Sequence, residues 1–197
     1  IYIEHGYTGL KQSAGFIFDD PLPKLRTLRD RVRVYTEMKQ DATVGAVLFA
    51  INQFVKSAEW TIDTGDSEQD AEFLKANMNG LSHTWRDFVS EALSMLVYGF
   101  SVAEICYKNV NGKIMWKKLP FRSQDSIEKW LFDDDGGIRG FVQTPSYSSG
   151  KDILPIPIEK ALLFRTSIAK GNPEGESVFR HAFRAYYTKK QIEIIEA

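Results

Sequence analysis

Apolar positions recur along this chain with two different periods, and the change of period divides it. Val44, Val47, Leu48, Ile51 and Val55 fall at i, i+3, i+4, i+7 and i+11, the spacing of one helix face. Asp41 stands where an N-cap belongs, so a helix is predicted from there to about Ser57. A second helix is predicted over Glu68 to Asn79, with Ala71, Phe73, Leu74 and Met78 as its apolar positions and Asn79-Gly80 as its stop. A third begins near Ser82 to Thr84. Its apolar set of Trp85, Phe88, Val89, Ala92, Leu93, Leu96 and Val97 spans more than a narrow stripe, which predicts a central position in the core. Tyr98-Gly99 ends it.

From Phe100 the period becomes two. Val102, Glu104, Cys106 and Lys108 alternate with Ala103, Ile105 and Tyr107, and Asn111-Gly112 predicts a tight hairpin turn with a return strand over Lys113 to Leu119. Trp130 to Asp133 and Ile138 to Thr144 read as strands flanking the turn Asp134-Asp135-Gly136-Gly137. Ser146 to Lys151 reads as a polar loop, and the prolines of Leu154-Pro155-Ile156-Pro157 make that segment extended. Ala161 to Arg165 reads as a buried strand, Trp60 to Asp63 as a short one. A Gly/Pro loop, Gly171 to Gly175, leads into a final helix from Ser177. The first 20 residues read as irregular or extended, and Asp20-Pro21-Leu22-Pro23 as a boundary. Helices first and a strand-rich middle, without regular βαβ alternation, predict an α+β fold.

Composition narrows the function classes. The 197 residues are 43% hydrophobic and 26% charged, the balance of a globular protein. Twenty-five Lys and Arg against 26 Asp and Glu give a net charge of -1, which weakens any reading in which phosphate neutralisation dominates. The apolar stretch Ala92 to Tyr107 is interrupted by Ser94, Gly99, Ser101 and Glu104 and is too short for a membrane span. No signal sequence opens the chain, and a soluble compartment is expected. It starts Ile1-Tyr2-Ile3-Glu4 without methionine, which reads as a processed product or a piece of a longer polypeptide.

Candidate chemistry is sparse. The loop before the final helix has Glu176 where a P-loop needs lysine, and Glu174 and Glu176 would repel a phosphate; a strand-to-helix connection capped by Ser177 is the plainer reading. Asp133-Asp134-Asp135 invites calcium, but the sixth and twelfth positions are Ile138 and Thr144 rather than Gly and Glu. His5, His83 and His181 form no metal-ligand pair, Cys106 is a lone cysteine on a predicted strand, and no GxSxG elbow occurs. No catalytic, cofactor-binding or metal residue is therefore assigned, and an interaction or structural protein is favoured over an enzyme.

Two basic groups stand out. Between Lys24 and Lys39 six cations, Arg26, Arg29, Arg31 and Arg33 among them, meet only two acids. This segment reads as a weakly amphipathic helix or a surface arm: a nucleic-acid arm, a solvated face or a salt-bridged subunit contact. The final helix carries Arg180, Arg184, Lys189 and Lys190, offset by Glu193 and Glu196, and reads as an ordinary exposed face.

Three blocks, taken in order, resemble the portal proteins of tailed bacteriophages, above all the branch found in Mu-like phages. The first is DATVGAVLFAINQFVKSAEWTI (Asp41 to Ile62), similar to the family's opening helix and tryptophan strand. The second is FVSEALSMLVYGFSVAEICY (Phe88 to Tyr107), similar to its buried helix, Tyr-Gly break and strand. The third runs from Ile156-Pro157-Ile158-Glu159-Lys160 through Phe164-Arg165 and Asn172-Pro173-Glu174-Gly175-Glu176-Ser177 to Arg180. It continues into a helix with a tyrosine, Tyr186 or Tyr187, and Lys189.

The resemblance implies a portal wing-like domain: several helices packed on small antiparallel sheets, with a long C-terminal helix. It divides the chain into an N-terminal arm and basic segment (1–40), a wing-like core (41–176) and the start of a stem-directed helix (177–197). It implies a head–tail connector that forms a ring, usually of twelve subunits, at one capsid vertex, where double-stranded DNA passes during packaging and ejection. Partners would be other copies of the chain, the major capsid or scaffolding protein, terminase and a head–tail adaptor. No membrane and no cofactor are implied. The location would be the virion, and the host cytoplasm during assembly. Within that ring Arg26, Arg29, Arg31 and Arg33 are expected at a subunit interface, and Arg180, Arg184, Lys189 and Lys190 facing the DNA channel. The alternatives are a head-morphogenesis or nucleic-acid-processing enzyme with a site assembled from distant residues, and a monomeric binding module using Trp116 and Trp130 as exposed aromatics.

Overall fold

Short-range capping and turn chemistry sets most element boundaries in the computed structural model, which describes residues 6–63, 65, 67–144 and 155–196. A two-residue hairpin, β1 (Gln12–Ser13) and β2 (Phe16–Ile17), interrupts the opening segment that the sequence read as irregular. After a 3-10 turn at Pro23–Leu25, Thr27 accepts the amide of Asp30 at 3.2 Å and starts α1 (Leu28–Gln40). This basic segment is a helix, and the surface-arm alternative is not what forms: Leu25, Tyr35 and Met38 are buried. The arginines dominate its charge pattern, yet three apolar contacts decide its place.

The Asp41 cap is as predicted, its Oδ1 accepting the amides of Thr43 and Val44 at 3.0 and 3.1 Å to open α2 (Ala42–Lys56). Of the expected inward stripe, Leu48 is buried and Val44 and Val55 half-buried, whereas Val47 and Ile51 stay exposed. Trp60 to Asp63 forms no strand. Trp60 instead packs edge-on against Trp85 at 5.9 Å. Ser67 caps α3 (Glu68–Asn79), and buried Asn77 ties it down, donating to Phe73 O at 2.9 Å and accepting the amide of Trp116 at 2.8 Å.

The third predicted helix is two: α4 (Trp85–Ala92), opened by a Thr84/Asp87 capping box, and α5 (Ser94–Tyr98). The break is fixed from beyond the helix. The amide of Leu96 bonds Leu93 O at 3.0 Å, three residues back, and the freed Ala92 carbonyl accepts Ser101 Oγ at 2.8 Å. The strand from Phe100 also divides, into β3 (Phe100–Glu104) and β4 (Cys106–Val110), because the chain changes partners at Ile105. β4 turns at Asn111-Gly112, both at positive φ, into β5 (Lys113–Lys118), with a register shift at Cys106/Tyr107.

The remaining strands are β6 (Phe121–Arg122), β7 (Ile127–Phe132), β8 (Ile138–Gln143), β9 (Pro155–Pro157) and β10 (Ala161–Arg165). Two antiparallel three-stranded sheets result, ordered β10-β3-β6 and β7-β8-β9. β10 is half-buried rather than buried because it lies at a sheet edge. The polar loop predicted over Ser146 to Lys151 lies outside the described residues. A last helix, α6 (Phe179–Glu196), closes an α+β fold of helices on small antiparallel sheets, as predicted.

Three apolar clusters hold these elements. One gathers Ile17, Phe100, Val102, Ile127, Trp130 and Phe141; a second, Leu25, Tyr35, Met38, Leu48, Val97 and Phe179; a third, Phe88, Val89, Leu93, Ala103 and Leu119. Trp130 is thus a core residue, only 1% exposed, stacked edge-on with Phe100 at 5.4 Å, and not the exposed aromatic of the binding-module reading. Phe100→Ala should cost about 3–5 kcal/mol, lowering Tm by roughly 10 °C in a chain of this size. A calorimetric scan showing a shift within the surface-mutant range would refute this account of the core.

Candidate functional site

The final helix leaves the body through the loop 171–178, and the chain fastens that loop from three sides. The first is α5. A helix ends with carbonyls that lack intrahelical partners, and here the loop supplies the donors: Val178 N–H bonds Leu96 O at 3.0 Å, and the Ser177 hydroxyl donates to Val97 O. Ser177 Oγ also accepts the amide of Phe179 at 3.0 Å, so the predicted helix-capping serine holds α5 and α6 together. At the same junction Gly99 (φ +94°) and Gly175 (φ +53°) face each other without side chains. A Cβ on Gly99 would sit 2.4 Å from Glu174 O, and one on Gly175 2.2 Å from Gly99 O.

The second fastening is a buried ion pair. Glu174, 5% exposed, meets the guanidinium of Arg31 and accepts the indole Nε1 of Trp130 at 3.1 Å. Arg31 donates further to Leu25 O and Arg26 O at 3.1 and 3.2 Å, so it satisfies carbonyls around the turn that precedes α1. Burial pushes the Glu174 carboxyl above its ordinary range, against Arg31 and the Trp130 donor. Tyr35 beside them is pushed up to about 12 by burial, with Arg31 acting in the opposite sense.

The third is a pair of adjacent carboxylates that straddles the loop. Asp19 holds Lys170 at 2.9 Å on the near side, and Asp20 holds Arg180 Nε at 2.6 Å on the far side. Asp20, Arg31, Tyr35, Glu176 and Arg180 line a polar cleft of about 420 Å³. Farther along α6, Lys24 Nζ lies 4.1 Å above the Tyr187 ring, Lys190 pairs with Glu37, and Lys189 reaches Asp41 at 2.5 Å. Lysine contacts hold the Glu37 and Asp41 carboxyls below their ordinary range, Asp41 also through its two capped amides.

These contacts sort the eight cations singled out in the sequence. Arg31, Arg180, Lys189 and Lys190 are engaged with carboxylates of their own chain. Arg26, Arg29, Arg33 and Arg184 are exposed, Arg33 reaching Asp30 at 3.4 Å. Sequence reasoning missed Glu174 as the partner of Arg31 and Trp130. Its position in the Asn172-Pro173-Glu174-Gly175 loop was legible, its burial was not.

Among the described residues the other candidates sit in ordinary structural settings. Asp133 Oδ1 accepts the amides of Asp135 and Gly137 at 3.1 and 2.6 Å, the arrangement of a hairpin turn. His83 stacks on Phe88, His181 lies 3.7 Å from Glu176, and Cys106 is half-buried; His5 is outside the described residues. Among the described residues no three His, Cys, Asp or Glu side chains gather as a metal site, and no helix is long and apolar enough to cross a membrane.

Removing one partner of a buried pair strands the other, so Arg31→Met should cost about 3–5 kcal/mol in urea unfolding. Arg31→Met/Glu174→Gln should recover much of it, whereas exposed Arg33→Met should stay within about 0.5 kcal/mol. Equal costs for Arg31→Met and Arg33→Met would refute the fastening.

The α6 latch should depend on pH in both directions. Lowered Glu37 and Asp41 give stability that is present above the usual carboxylate range and lost as pH falls through their depressed values. Raised Lys189 and Lys190 give stability that is present below the usual lysine range and lost as pH rises through their elevated values. Amide exchange of α6, corrected for intrinsic rate, should therefore be slowest between those ranges; protection that does not change with acid would refute the latch.

Comparison with known proteins agrees with this architecture. A family model described as the portal protein of Mu bacteriophage matches residues 32–192. The fold is similar to a chain in the virion of a native gene transfer agent particle, with a TM-score of 0.61 and 10% identity over 92% of this chain and 48% of that one. It is also similar to a chain in the neck of an empty gene transfer agent particle computed with C6 symmetry. The TM-score there is 0.57, with 10% identity over 82% of this chain and 41% of that one. At such identity the likeness is one of fold, and this chain spans about half the length of the chains it matches.

Proposed function

The chain belongs to the Mu bacteriophage portal protein family, and from that premise we propose that it is the wing-like body of a ring-forming head–tail connector at one capsid vertex. The observation that carries this reading is the family match, whose bounds, 32 and 192, lie within α1 and in the last turns of α6. The fold shared with virion and neck chains supports it. The role is structural: the ring is the passage for double-stranded DNA in packaging and ejection. Terminase, the capsid or scaffolding protein and a head–tail adaptor dock on it. It resides in the virion, and in the host cytoplasm before assembly is complete. A closed ring of twelve copies is the arrangement the family reading favours.

On this reading α6 is the beginning of the stem, and its fastening has a purpose. A helix that carries load between wing and channel needs a fixed exit angle, and loop 171–178 is held on α5, α1 and the β7 tryptophan at once. The charge arrangement also suits a conduit. DNA that must slide should not be gripped through its phosphates, and three of the four α6 cations are already neutralised by Asp20, Asp41 and Glu37. Arg184, exposed and without an ion pair among the described residues, is the channel-facing candidate. At the wing, Arg26, Arg29 and Arg33 remain available to a neighbouring subunit, while Arg31 serves the interior.

Negative-stain microscopy of the complete polypeptide should show rings with a central channel, and native mass should be an integral multiple of the chain's. A solitary chain at all concentrations, absent from purified particles, would overturn the proposal; so would DNA nicking lost on a single carboxylate substitution.

A further inference from the structure

Helix α2 is apolar nearly all round: Lys56 is its one charged residue in 15. Such a helix belongs in an interior, yet here it buries only one side, packed on α1 and α4. On its free flank Val47, Ile51 and Phe54 are 56%, 44% and 81% exposed, following one another at i, i+4 and i+7. A contiguous exposed apolar strip of this kind marks a surface that something covers. The flank carries no cation for a phosphate and no charge for a polar ligand.

The same chain offers a matching surface elsewhere. Between α3 and the β4–β5 hairpin runs a groove whose walls include Phe73, Val110 and Ile114, all exposed, with Asp70 and Glu72 along its rim. Helix α1, joined to α2 by the single residue Asp41, exposes Arg29 and Arg33. One surface is thus apolar with basic residues on the adjoining helix, and the other apolar with a border that holds two acids, Asp70 and Glu72, to one cation, Lys113. A closed ring needs two unlike, complementary faces on every subunit. Opposite charge around an apolar contact fixes register and partner.

We infer that the free flank of α2 is covered, in the assembled protein, by the α3/β4–β5 groove of a second copy of this chain, with Arg29 and Arg33 facing Asp70 and Glu72 across the contact. The inference rests on the ring reading and names the surfaces that build it. It makes the Val47, Ile51 and Phe54 flank of α2 a surface that is buried only once the neighbour is present.

The test uses the complete polypeptide. Phe54→Asp should abolish the ring peak in size-exclusion chromatography with light scattering and leave monomer. Phe49→Asp, on an exposed residue of the same helix about 140° around the axis from Phe54, should keep the ring. In a Cys106→Ser background, co-expressed Phe54→Cys and Val110→Cys chains should give a disulfide-linked dimer that neither variant gives alone. Intact rings with Phe54→Asp, or no mixed dimer in rings that do form, would overturn the inference and leave the ring reading standing. A Phe54→Cys chain linked to its own kind would overturn it in favour of α2-to-α2 contact. Wild-type chains that never assemble would remove the ring reading and this inference together.

Discussion

The end of α5 must give its last carbonyls to donors from elsewhere, and that requirement organises the molecule. Leu96 O and Val97 O find Val178 N–H and the Ser177 hydroxyl. Gly99 O finds the Thr166 amide at 3.0 Å. A short helix therefore cannot finish without the strand β10 and the loop that follow it by some 70 residues. The run Leu93 to Ala103 then visits all three apolar clusters in turn: Leu93 and Ala103 in one, Val97 in another, Phe100 and Val102 in the third. Helices α1 and α2 and strand β10 each bridge two clusters, whereas this run of 11 residues reaches all three.

Electrostatics acts at a second level, orienting what packing has already placed. The Arg31–Glu174 pair is costly to desolvate, and an apolar replacement of equal volume would serve stability as well. What it contributes is direction: a guanidinium has fixed donor geometry, and its contacts with Glu174, Leu25 O and Arg26 O locate the loop relative to the entrance of α1. The pairs along α6 are individually weak, but they lie on one helix and point to three successive positions, Asp20, Glu37 and Asp41.

Local chemistry made much of this legible in the sequence. The Asp41 cap, the Asn111-Gly112 turn, the Gly99 break and the Ser177 cap are each decided within a few residues, and each stands where the residues put it. Readings failed where the deciding partner is remote. The kink at Leu93 depends on Ser101, Trp60 finds Trp85 instead of a strand, and Arg31 meets a carboxylate 143 residues away. For α2 the period was right, but only Val44, Leu48 and Val55 of the stripe turn inward, because a helix apolar nearly all round does not encode which flank faces the core. Family resemblance supplied the architecture that such remote pairs define, without supplying the pairs.

Asp41 divides its two oxygens between two helices: Oδ1 takes the first amides of α2, and Oδ2 takes Lys189 in the third turn of α6. With Glu37 holding Lys190 one position on, α6 cannot rotate about its own axis without disturbing the start of α2. A single carboxylate thus works as a torsional key. Rotation of α6 would have to break or carry with it the contact that also caps α2.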